Sequence, residues 1–153
     1  MSWQQELPFF TRKEMACQGT GVIKVDIRMA VQVVFLRLMW GEALYPNSFC
    51  RTPEHNESVD GHPRSLHLTS NPVHETDGTM AVDFRWRNWS AERKRHFARL
   101  AWSLGWSVGL HDGFVHLDRR VDCGLQQRSF LYGQWSGSFD TEDVICKVLE
   151  IWP

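Results

Sequence analysis

Residues 47–84 read NSFCRTPEHNESVDGHPRSLHLTSNPVHETDGTMAVDF, and residues 113–119 answer them with GFVHLDR. The first stretch carries Arg51, Ser65, His67 and Asp83; the second carries His116. Alternation along an extended chain sends Met80, Val82 and Phe84 to one face of TMAVDF, and Ala81 and Asp83 to the other. In GFVHLDR, Val115 and Leu117 point one way while Phe114, His116 and Asp118 point the other. Each segment reads as a strand with one apolar face. Two such strands in one sheet present Asp83 and His116 to a common cleft. Two imidazoles and a carboxylate, with a fourth position left for water, are the donor set of an open zinc site. Zinc activates such a water and polarises a substrate carbonyl. The expected centre is a Zn2+ ion on His67, Asp83 and His116, with Arg51 beside it.

The rest of the chain frames these strands. Thr11 and Glu14 make a capping box for a short helix over residues 11–16. Asp26 opens a longer helix that Gly41 ends, with Ile27, Ala30, Val31, Val34, Phe35 and Leu38 at the offsets of one buried face. Residues 44–49 form a short strand leading Arg51 into an irregular loop over 52–63, where His55 and His62 read as solvated. A loop of that length in a compact domain marks a site wall. Ser90 caps a helix with Phe97, Leu100, Ala101 and Leu104 inward, and Gly105 stops it. Its basic run, Arg93 to His96 and Arg99, is a solvated face. Residues 106–110 and 113–119 make a hairpin turning at His111, Asp112 and Gly113. Residues 130–135 form another strand. Asp140 or Thr141 caps a closing helix through Glu150, with Val144, Val148 and Ile151 inward.

A chain of 153 residues reads as a single domain, 1–153. A formal charge of -1 gives no electrostatic reason for a nucleic-acid partner or an acidic membrane surface. No run approaches the ~20 apolar residues of a membrane span, so no membrane insertion is expected. The start, MSWQQELPFF, lacks a charged residue followed by an apolar segment, so the expectation is cytoplasmic synthesis without a signal peptide. Cys17, Cys50, Cys123 and Cys146 show no C-x-x-C spacing, which argues against a cysteine zinc site and for free thiols. The eight tryptophans either line a carbohydrate or peptide cleft or fill a core and its edge.

Four stretches resemble, in order, the M15 family of zinc peptidases, specifically its D-alanyl-D-alanine carboxypeptidase-like subgroup (M15A) of phages and bacteria. They are FFTRKEMAC, NSFCRTPEHN, SLH followed by GTMAVDF, and GFVHLDRR, together covering residues 9–120. Residues 121–153 remain as a closing segment. The resemblance implies an α+β fold, a small antiparallel sheet with packed helices of the hedgehog or D-alanyl-D-alanine peptidase type. It also implies His67, Asp83 and His116 as zinc ligands, with Arg51 and Ser65 binding the substrate and Arg51 polarising it. This chain departs from the pattern in places. LTSNPVHETD stands between His67 and Gly78 where the family usually has two residues, and its His74 is an alternative to His67. Ser65 before His67, and Pro72 in the inserted loop, favour His67. Many relatives carry an acid three residues before the last ligand, where Gly113 stands here. Asp118 and Asp112 are then the candidates to move a proton, with His111 a third. Asp118 serves equally as a partner that orients a ligand histidine.

The implied activity is zinc-dependent hydrolysis of an amide bond in the peptide stem of peptidoglycan. The implied setting is a phage or prophage lysin released by a holin, or a virion-associated component among tail proteins. The alternatives are an M15-fold binding or structural module without catalysis, and a D-alanyl-D-alanine dipeptidase.

Overall fold

Residues 81–85 and 114–118, the two strands with one apolar face each, lie side by side at the centre of a five-stranded sheet. The structure, a computed structural model, describes residues 2–145. The strands are β1 (Pro46–Ser48), β2 (Ala81–Arg85), β3 (Ser107–Leu110), β4 (Phe114–Asp118) and β5 (Ser129–Leu131), in the order β1-β2-β4-β3-β5. Antiparallel register sets Asp83 opposite His116, with Val82 opposite Leu117 and Phe84 opposite Val115. Directly opposed residues share a face, so the apolar pairs collect on one side and the Asp–His pair on the other.

The sheet is mixed, which corrects the antiparallel expectation: β5 runs parallel to β3. β4 ends beside the start of β3, with Asp118 opposite Ser107. The chain steps across that end through a 3-10 turn, Arg120–Cys123, and enters on the far side of β3 running with it. The strand covers Ser129–Leu131 rather than residues 130–135.

The apolar face is covered by α4 (Ala91–Ser103), whose Phe97 meets Phe84 edge-on with 6.3 Å between ring centroids. Ser90 Oγ accepts from the Arg93 N–H and begins this helix. Phe97 also touches Trp40 of α2 (Ile27–Trp40), 5.0 Å away, which joins the two helices. The helix α2 starts at the Asp26 cap and ends at Gly41 in the left-handed region, φ +82°, as its residues predict. Its buried face is Met29, Ala30, Val33 and Leu36; Ile27, Val31, Phe35 and Leu38 are exposed. IRMAVQVVFLRLMW is apolar on nearly every side, so periodicity offers two overlapping stripes and only the docking of the helix selects one.

Residues 52–63 are not all irregular. They begin with a helix, α3 (Pro53–Ser58), capped by the Thr52 hydroxyl, with Pro53 in the first turn where its missing N–H costs nothing. A short helix, α1 (Arg12–Met15), has the expected Thr11–Glu14 capping box. Trp86 and Trp106 are buried, and Trp40, Trp89, Trp102 and Trp135 pack against the core, so these six take the core-and-edge role. Cys17, Cys50 and Cys123 are free thiols. The last helix, α5 (Thr141–Val144), is capped by Asp140 and buries Val144. Cys146, Val148, Glu150 and Ile151 lie outside the described residues. Among the described residues, no helix is long and apolar enough to cross a membrane.

Candidate metal centre

The polar faces of β2 and β4 deliver Asp83 and His116 to one point, and the segment after α3 brings His67 to meet them. Asp83 Oδ1 lies 2.9 Å from His116 Nδ1 and 3.2 Å from His67 Nε2. One ligand atom from each residue falls within 4.8 Å of the other two, and all three side chains are buried. His67 is fixed through its backbone. Its carbonyl accepts from the Arg51 N–H (2.9 Å) and the Thr79 hydroxyl (2.8 Å), and its N–H donates to Ser65 Oγ (3.2 Å). In this structure Ser65 therefore shapes the turn that carries His67.

The tautomers follow from what stands behind each ring. His67 Nδ1 is 2.8 Å from the Phe49 carbonyl, which can only accept, so Nδ1 carries the hydrogen and Nε2 presents a lone pair to Asp83. His116 Nε2 lies 2.9 Å from Asp118 Oδ2. Arg120 holds Asp118 ionised with its Nε on Oδ1 (2.9 Å), Nη2 on Oδ2 (2.6 Å) and backbone N–H on Oδ1 (3.1 Å). His116 thus donates rearward and aims Nδ1 at Asp83. Three acceptors converging in a buried space require a proton or a cation between them. A tetrahedral ion with bonds of ~2.0–2.2 Å separates its ligands by roughly 3.4 Å, close to the 2.9 and 3.2 Å between Asp83 and the two rings. Both histidines also have the outer hydrogen-bond partner that metal-ligating imidazoles take. The donor set fits zinc.

Without an ion, a proton takes that place. Burial alone would lower the His116 pKa, but its hydrogen bonds to Asp118 and Asp83 outweigh it and raise the value to about 9. Burial would raise Asp83, yet the neighbouring His67 ring and the hydrogen bond from protonated His116 hold it well below the usual carboxylate range. Asp118 is likewise depressed, against its burial, by Arg120 and His116.

The cluster opens to a cleft of about 300 Å³ lined by Asp83, Arg51, His55, Asn47, Phe114 and Tyr132, among others. Arg51 Nη1 donates to Asn56 Oδ1 (3.2 Å) and Nη2 to Ser48 Oγ (3.4 Å); among the described residues it has no acidic partner. Asn56 belongs to α3, so the helix that composition hides is the element that aims Arg51. His55 lines the same cleft rather than standing apart in solvent, whereas His62 is exposed. His74 sits in a turn closed by the Asn71–Thr76 bridge and takes no part in the cluster. Asp112 is in the hairpin turn, where both its oxygens accept from Ser136 (N–H 2.8 Å, hydroxyl 2.9 Å), and it does not line the cleft. His111 stacks on Phe114 at 4.2 Å and accepts from the Gly113 N–H at 2.9 Å.

Tyr132 escapes the sequence reading. Its ring stacks on His116 at 4.4 Å with 5° between planes. Gly109, opposite His116 on β3, makes the room: a Cβ there would sit 2.9 Å from Tyr132 Cβ and from the Phe130 ring. A glycine inside the strand SVGL is the one signal of that close approach.

A family model described as Peptidase M15 matches residues 8–118, more than half of the chain. The chain belongs to the peptidase M15 family. All three converging side chains and Arg51 lie within the M15 match, while Tyr132 falls after it. M15 membership supports hydrolysis of peptide bonds as the class of chemistry. Neither the curated proteins nor the solved structures include a match to this chain.

Proposed function

We propose that the chain is a zinc-dependent peptidase that hydrolyses an amide bond in the peptide stem of peptidoglycan, as a phage or prophage lysin or a virion-associated wall-degrading component. The observation that carries this reading is the convergence of His67, Asp83 and His116 inside an M15 match. A sheet with Asp83 and His116 on adjacent central strands supports the hedgehog or D-alanyl-D-alanine peptidase type of architecture.

Zinc would be held by His67 Nε2, Asp83 Oδ1 and His116 Nδ1, and when bound it supplies Lewis-acid polarisation and an acidified water. The chain supplies the rest. Arg51, steadied by Asn56 and Ser48, presents a planar fork to a substrate carbonyl or carboxylate. Asp118, with its oxygens engaged by Arg120 and His116, fixes the orientation and tautomer of His116 instead of shuttling protons. Tyr132 covers the His116 ring and limits its exposure to water. His55 and Tyr132, both lining the cleft, are the groups placed to move a proton to the leaving amine nitrogen.

The test is release of soluble peptides from purified peptidoglycan by the native chain and by His116→Ala, with zinc content measured on both. Release by the native chain alone is the expected result. Zinc bound without release would drop the enzyme reading in favour of a non-catalytic M15-fold module, which Gly113 in place of an acid favours. Release of D-alanine from D-alanyl-D-alanine, with intact wall untouched, would select the dipeptidase.

A further inference from the structure

We propose that the groove adjoining the ligand cluster is an anion subsite, in which Arg85 and Arg87 bind a carboxylate of the peptide substrate; this rests on the peptidase reading above. The strand β2 sets its geometry. Asp83 faces the cleft, and Arg85, two residues on, leaves the same face roughly 7 Å further along. Register repeats the relation: Arg85 is opposite Phe114 as Asp83 is opposite His116. Arg85, Arg87 and His111 line a groove of about 590 Å³, with Tyr45 and Trp89 adding apolar surface. Asn47 and Phe114 line both this groove and the cleft around Asp83, so the two spaces adjoin.

The charge in the groove is uncompensated. Among the described residues, no hydrogen bond or ion pair reaches the guanidinium of Arg85 or of Arg87 from an acid. Asp112, in the neighbouring turn, directs both oxygens to Ser136. Arg87 lies against Gly113 so closely that a Cβ at that position would be 2.6 Å from its Nη2. Residue 113 is where an acidic side chain is expected from the resemblance. Here a guanidinium occupies the space instead, and the local charge is inverted from negative to positive. A surface with two open guanidinium forks is complementary to a planar carboxylate.

An extended peptide advances ~3.4 Å per residue. With its scissile amide at the ligand cluster, a carboxylate two residues away falls at Arg85, and one further along falls at Arg87. Stem peptides carry such groups, the α-carboxylate of a γ-linked D-glutamate among them.

The test measures binding apart from hydrolysis. The probes are L-alanyl-γ-D-glutamyl-L-lysine amide and the same tripeptide with the glutamate α-carboxyl converted to carboxamide. Calorimetry on the full chain compares native protein, Arg85→Gln, Arg87→Gln, the double variant and His116→Ala, with zinc content measured for each. The native chain is expected to bind the acid about tenfold or more tightly than the amide, the scale of one charge-assisted hydrogen bond. Each single variant should lose a large part of that preference and the double variant all of it, at unchanged zinc content. Equal binding of both probes by the native chain, or a preference kept by the double variant, overturns the subsite. A preference that survives in zinc-free His116→Ala supports it. A native chain that prefers the acid but leaves peptidoglycan intact also supports the subsite, and removes only the peptidase reading.

Discussion

Asp83 and His116 face each other across adjacent antiparallel strands, with His116 Nδ1 2.9 Å from Asp83 Oδ1, the same oxygen that His67 Nε2 approaches to 3.2 Å. A single carboxylate oxygen between two imidazole nitrogens is a place for positive charge. Behind the rings stand different supports, a backbone carbonyl for His67 and an arginine-anchored carboxylate for His116. Ion holding and ring support can therefore be removed separately.

Removing a ligand should abolish both properties. Asp83→Asn keeps the shape of the side chain and removes its charge, so bound zinc after dialysis should fall from about one per chain to near none. Peptide release from the wall should drop to the no-protein background. Full zinc occupancy in this variant would disprove the assignment of Asp83.

Removing a support should weaken the centre without erasing it. Asp118→Asn should lower zinc affinity by about 10–100-fold in a chelator competition, and excess zinc should restore activity. Arg120→Gln leaves Asp118 buried without its partner and should cost more stability, on the order of 3–5 kcal/mol. Activity of Asp118→Asn that stays lost at saturating zinc would instead mark Asp118 as the proton carrier.

The zinc-free chain should respond to pH through His116. Its pKa is raised on folding from 6.5 to about 9, so its contribution to stability is full below pH 6.5 and is lost as pH rises through about 9. The melting temperature of the zinc-free protein should fall across that window. Zinc binding at neutral pH should release protons, seen as a calorimetric enthalpy that changes with the ionisation heat of the buffer. A flat response in both measurements would contradict the protonated bridge.

Crowding at Gly109 gives a mechanical test. Gly109→Val places a side chain where Tyr132 and Phe130 now lie, and should cost about 1–3 kcal/mol in denaturant unfolding. Zinc affinity should change little, and KM for the wall peptide should rise. Tyr132→Ala should retain zinc and lose activity without the stability cost of that clash.

The sequence disclosed what is local and periodic. Alternation in TMAVDF and FVHLD was enough to put Asp83 and His116 on the polar faces of two strands, and caps at Thr11, Asp26 and Ser90 located three helix starts. Other features depend on contacts between distant segments. Periodicity does not single out the inward stripe of α2, because two apolar stripes overlap and docking chooses between them. The helix α3 was hidden by a polar composition whose cap and first-turn proline also suit a turn. The direction of β5 is set by where β4 ends relative to β3, and no pattern inside SFL encodes that. Tyr132 entered the site for the same reason.

The M15 match stops at Asp118, yet the ring that roofs His116 arrives fourteen residues later, on the chain leaving β5. The residues that would hold an ion thus lie in the matched portion, and the ring over His116 comes from the portion after it. Exchanging the later portion for that of another M15 peptidase would change what roofs His116 while His67, Asp83 and His116 stay as they are.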